Sequence, residues 1–177
     1  HWVPPLRIAV RDQLDVDKNP FFKHSYMKPL LAYKDGEVAG RVVGVIDENH
    51  NKFANEKTAF FGYFEAINDP EVTSALLKEV REWAKEWGME KLRGPVNLST
   101  NHECGLLIDG FEDPPSVNMI HNPKYYRNLL EGEGFEKSTD LYAWEVDHKN
   151  RFAERMQKRS ERLKTNANIR FRTINMK

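Results

Sequence analysis

The stretch from Thr58 to Arg93 leaves this chain few folds to choose from. Thr58 to Ile67 (TAFFGYFEAI) is a phenylalanine-rich strand pattern, buried on at least one face. Asp69 to Trp87 is an amphipathic helix. Val72, Leu76, Val80, Trp83 and Trp87 recur at helical spacing and form one apolar face. Asn68 or Asp69 can cap it, Pro70 suits its first turn and Gly88 stops it. Lys91 to Arg93 then opens another strand. Strand, helix and strand in that order predict a right-handed crossover onto a parallel neighbour.

Upstream, strand signals begin at about Lys28. Asp35-Gly36 marks a hairpin, because both central residues of a type I′ turn need positive φ. Val38 to Ile46 reads as the return strand and Asp47 to Glu56 as a polar loop, which makes a three-stranded antiparallel meander with Thr58–Ile67. Residues 1–26 read as irregular, broken by Pro4, Pro5 and Pro20, with Trp2, Leu6, Phe21 and Phe22 available to pack on the core. Gly94 to Asn122 is a long, mostly irregular connection of the kind that is often functional. From Asn122 the pattern is a short helix with Pro123 in its first turn, Tyr125/Leu129 and Tyr126/Leu130 pairs four apart, a stop at Gly132 and Gly134, and a strand from Leu141 to Val146. Asn150 to about Lys164 predicts a basic helix, and Ile169 to Ile174 alternates like a strand. The fold class expected is α/β (α+β): a mixed, mostly antiparallel sheet flanked by helices.

Charge is uneven although the chain holds 27 Lys/Arg and 27 Asp/Glu. Residues 150–177 carry nine Lys/Arg against two Asp/Glu, so an acidic body precedes a basic tail. The single cysteine, Cys104, excludes an internal disulfide and fits a reducing compartment. No apolar run reaches the ~20 residues of a membrane helix, and no signal peptide is visible. A cytoplasmic protein without membrane contact is expected. The basic helix lacks interleaved aromatics beyond Phe152 and any nucleic-acid motif, so nucleic acid is an unlikely partner.

Several strings together resemble an uncharacterised group of bacterial and archaeal GNAT-like (N-acetyltransferase-fold) proteins. They are HWVPPLR at the start, NPFFKH at 19–24, FFGYFEAIND at 60–69, GPVNLSTNHECGLLIDGF at 94–111 and HNPKYYRNLLEGEGFEKSTDLYAWEVD at 121–147. The resemblance implies a GNAT-like domain over 1–147 whose first strand and helix precede His1, a basic linker helix over 148–167, and the first strand of a second GNAT-like domain over 168–177, continuing past Lys177. It also implies acyl transfer to a small-molecule or other amine acceptor, with acetyl-CoA or another acyl-CoA as donor. Glu65, flanked by Phe64 and Ile67, would be the general base, and Tyr125 or Tyr126 the general acid.

One departure bears on the cofactor. GNAT enzymes hold the pyrophosphate of coenzyme A on a glycine-rich turn at a helix N-terminus. The matching stretch here, Ala66 to Thr73, has no glycine, Arg or Lys, and it places Asp69 and Glu71 where phosphate would sit. The enzyme reading requires a cleft beside 65–73 with free backbone donors. The alternative is a non-catalytic GNAT-like module that binds a ligand or supports the second domain. Asn97, Asn101 and His102, in a polar cluster that continues to Cys104, are candidate ligand-binding residues, as is Asn68. Their spacing fits no zinc motif, and no metal is expected.

Overall fold

The computed structural model describes residues 4–117, 119–144, 151–166, 168–170 and 172–175. It divides into two units, 1–138 and 139–177. The first is an α/β unit built on a four-stranded sheet of order β1-β2-β3-β4: β1 (Ser25–Lys34), β2 (Glu37–Asp47), β3 (Thr58–Ala66) and β4 (Lys91–Arg93). β1, β2 and β3 are antiparallel, and β4 runs parallel to β3. Asp35 and Gly36 both have positive φ (54° and 84°), so the first hairpin turns as its sequence predicts.

Helix α3 (Pro70–Glu86) makes the crossover and buries Val72, Leu76, Val80 and Trp83 on the sheet. Trp87 lies past the helix, 44% exposed, with its ring centroid 4.4 Å from that of Tyr26. Asp69, not Asn68, is the cap: its carboxylate accepts from Glu71 N–H at 2.9 Å. Helix α4 (Tyr126–Gly132) packs on the same face, where Tyr126, Leu129 and Leu130 join Phe61, Phe64, Leu76 and Leu77 in one core. Gly134, at φ 80°, turns the chain after it.

Two helices stand where the sequence reads as irregular. Helix α1 (Arg7–Leu14) sets Val10 and Leu14 against Val43, Phe60, Tyr63 and Leu98 on the opposite sheet face. Leu6 supplies no side-chain cap, so the usual start signal is missing, and Leu6 itself is exposed. Phe21 and Phe22 do pack on this core; Trp2 lies outside the described residues. Helix α2 (Glu48–Ala54) replaces the expected polar loop. Asp47 caps it through Asn49 and His50 N–H, and Asn55 ends it in the left-handed conformation. With no buried residue of its own, it is a helix made by its caps and carries no apolar stripe to read.

In the second unit, α5 (Arg151–Lys164) forms as its sequence predicts. The expected strands do not form among the described residues: 141–144, 169, 170 and 172–174 carry no sheet pairing, while 145, 146 and Phe171 lie outside the description. Leu141, Tyr142, Trp144 and Ile174 are all well over half exposed. An alternating pattern makes a strand only where another strand supplies the ladder. No helix among the described residues is long and apolar enough to cross a membrane.

Candidate functional site

The end of β3 is where the fold concentrates polar groups. A bulge lies opposite Arg41–Val43 of β2, and Tyr63 takes φ 48° within it. Past Phe60, β3 loses its parallel partner, and its edge is satisfied in another way. Phe61 C=O accepts from Val96 N–H at 2.7 Å. Tyr63 N–H donates to Asn97 Oδ1 at 2.6 Å. Ala66 N–H donates to the Tyr126 hydroxyl at 3.1 Å, and Ala66 C=O accepts from the Tyr125 hydroxyl at 3.0 Å. Two adjacent tyrosines of one segment thus hold both polar groups of a single residue.

Glu65 lies beside this clamp, half-exposed. Its Oε1 accepts from Arg41 Nη2 at 2.7 Å. Phe64 points into the core, so the apolar neighbours do not enclose the carboxylate. An open cleft of about 350 Å³ is lined by Gly40, Arg41, Glu65, Ala66, Tyr125 and Tyr126. The three expected catalytic residues therefore share one cavity. The two phenols differ. Tyr125 donates its proton to Ala66 C=O, whereas Tyr126 accepts from Ala66 N–H and donates to no group among the described residues. Burial pushes the Tyr126 hydroxyl up to about 12 and raises Tyr125 as well, with the Glu65 carboxylate adding to both.

The proposed ligand-binding residues are held by separate partners. Asn97 bridges Tyr63 N–H and the Glu103 carboxylate. His102 Nδ1 lies 3.0 Å from Ser99 Oγ within a tight turn, and Asn101 is exposed at that turn. Asn68 is exposed in the link before α3. Two glycines explain how tightly the 94–97 segment crosses β3. A Cβ on Gly62 would lie 2.0 Å from Val96 O, and one on Gly94 2.4 Å from Phe61 O. The sequence holds the signal for this crossing, since a glycine inside a strand marks a close backbone approach.

The start of α3 does not fit a pyrophosphate. Pro70 has no N–H, Asp69 caps Glu71, and Thr73 N–H is bound to Asp69 C=O. Lys34 pairs with Asp69 and lies 3.6 Å from Glu71. The Lys34 ammonium, and then the Glu71 N–H, hold the Asp69 carboxyl below the usual carboxylate range. The helix N-terminus already has its anion. Arg41, absent from any motif, is the residue whose place only the packing reveals, opposite and ion-paired with Glu65; Tyr126 stands in the string 121–147, but its bond to Ala66 N–H does not follow from it.

No protein-family model and no solved structure matches the chain. It is similar to Protein YghO of Escherichia coli (strain K12), 38% identical over 144 residues, which are 81% of this chain and 37% of that protein. It is also similar to Bacterial ceramide synthase of Caulobacter vibrioides, 34% identical over 163 residues, 92% of this chain and 42% of that protein. The chain spans about two fifths of the length of these curated relatives.

Proposed function

We propose that this chain is a GNAT-like part of an N-acyltransferase and supplies the side of the active site that receives the amine. The observation that carries the reading is the cleft that unites Glu65, Arg41 and Tyr126, in a chain 34% identical to a protein named for ceramide synthesis. A ceramide is a fatty amide of a long-chain amino alcohol, so the reaction in that name joins an acyl group to nitrogen. Glu65 would take the proton that the amine loses as its nitrogen bonds to the acyl carbon, after which the thioester C–S bond breaks and coenzyme A leaves as its thiolate, to be protonated from solvent. Tyr126 would donate a hydrogen bond to the oxygen of the acyl group as charge builds there. A phenol near 12 is a weaker acid than a thiol, whose ordinary value is about 8.5, so it acts here as a donor and not as the source of a proton for a leaving thiolate. Tyr125 would fix the β3 end.

Acetyl-CoA or another acyl-CoA is the donor class we propose, with its phosphates held away from the α3 start. Asn68, Asn97, Asn101 and His102 take no part in the proposed chemistry. The occupied β3 edge and the capped α3 favour a second reading, a non-catalytic support for a neighbouring domain. Glu65→Gln separates the two. The Arg41–Glu65 pair is half-exposed and contributes little stability, so the variant should fold. Amide formation from an acyl-CoA and an amine, measured on this chain and on any longer protein that carries it, should fall about 10²–10⁴-fold. Unchanged turnover would remove Glu65 from the chemistry and leave the support reading.

A further inference from the structure

The second unit, 139–177, leaves its apolar side chains uncovered. Every large one described there, from Leu141 and Trp144 to Met156, Leu163 and Ile174, is at least 40% exposed. Along α5 every described side chain except Ser160 is exposed. Helical spacing sorts them. Ala153, Met156, Ser160 and Leu163 follow one another at three or four residues and form a stripe without charge. Arg155, Lys158, Arg159 and Arg162 form a basic arc by the same spacing. Arg159 stands three residues after Met156 and four before Leu163, so arc and stripe border one another. The cations are free: from Arg155 to Lys164, none pairs with a carboxylate among the described residues. In the first unit, by contrast, Lys34, Arg41, Arg81 and Arg93 each have such a partner.

This combination selects a partner. A phosphate backbone alone would satisfy the cations and leave the stripe, Tyr142 and Trp144 in water. A packed helix–helix seam needs three or four apolar residues in two turns, whereas Met156 and Leu163 stand two turns apart. A helix rich in Lys/Arg, of low net hydrophobicity and with a narrow apolar face, suits the plane of a bilayer surface. An anionic bilayer offers phosphates at its surface and hydrocarbon just below, and tryptophan and tyrosine favour that level. We propose that residues 139–177 hold the chain on an anionic lipid surface. Helix α5 lies in the interface, its arginines on lipid phosphates and Met156 and Leu163 toward the hydrocarbon. Such contact needs no spanning helix, and none is present among the described residues. It is independent of the acyltransferase reading.

The test is co-sedimentation of the whole chain with vesicles of phosphatidylcholine and with vesicles containing about one-third phosphatidylglycerol. The chain should bind the anionic vesicles and leave them as salt rises from about 0.05 to about 0.5 M. Replacing Arg155 and Arg162 by glutamine should weaken binding about 25-fold, or about fivefold for each cation. Met156→Gln with Leu163→Gln, which keeps every charge, should weaken it about tenfold. All four positions are exposed, and circular dichroism should show the helix retained. Brominated phosphatidylcholine in the vesicles should quench tryptophan fluorescence, and Trp144→Phe should remove most of that quenching. No binding to anionic vesicles at low salt, or equal binding to neutral ones, would overturn the proposal. So would binding unmoved by either pair of changes, or tighter binding of a single-stranded oligonucleotide at the same salt. Self-association without vesicles that the arginine changes abolish would also overturn it, in favour of an acidic protein face.

Discussion

Tyr125 and Tyr126 bind the same residue with opposite polarity, and replacing each by phenylalanine should show it. Tyr126→Phe leaves a buried Ala66 N–H without an acceptor, which costs about 1–3 kcal/mol. Tyr125→Phe strands a half-buried carbonyl and should cost about 0.5–1.5 kcal/mol. Urea unfolding of the two variants checks the order. Tyr63 and Tyr126 also make the fold sensitive to alkali. Burial raises both to about 12 from 10. The folded state then holds more protons than the unfolded state between those values. The associated stability is complete below pH 10 and falls as pH rises toward 12, by about 1.4 kcal/mol per pH unit for each tyrosine. Tyr126→Phe should remove about half of that slope in a pH series of unfolding curves. At this scale the sequence was legible in part. Glu65, Tyr125 and Tyr126 share a cavity, yet no local pattern distinguishes a phenol that donates from one that accepts. That distinction depends on where α4 meets β3, sixty residues apart in the chain.

Among the elements, those with an apolar stripe or a strict turn requirement could be read directly: α3 from its spacing, the first hairpin from Asp35-Gly36, β3 from its phenylalanines. Those that are held by something else could not. Helix α2 is made by Asp47 and Asn55, and α1 by the core it covers. The alternation at 169–174 indicates a strand but supplies no partner for one. The crossing of β3 by residues 94–97 gives a sharp contrast of glycines. Gly62→Ala would drive a Cβ into Val96 O, and it should cost about 3 kcal/mol or prevent folding. Gly132→Ala, at the end of α4 with open space around it, should instead stabilise the protein by about 0.5–1 kcal/mol. Thermal unfolding of both variants measures the difference.

At the scale of the whole molecule, the basic stretch 150–177 falls inside the second unit, 139–177, and begins eleven residues past its start. Tyr142 and Trp144 are 74% and 84% exposed, without sheet or helix pairing, a few residues past that boundary. Chymotrypsin should therefore cut there first and release a fragment containing residues 1–138, seen by mass spectrometry as an early, persistent product. Cleavage spread evenly over the chain would show that the boundary carries no such weakness. Leu31 of β1, Arg41 of β2 and Glu65 of β3 stand opposite one another on three successive strands. Arg41 and Glu65 are joined by an ion pair as well as by the ladder between their strands, whereas Leu31 meets Arg41 through the β1–β2 ladder. A change at Leu31 on β1 therefore leaves the ion pair across β2 and β3 in place, so the apolar and the ionic end of this sheet face can vary independently.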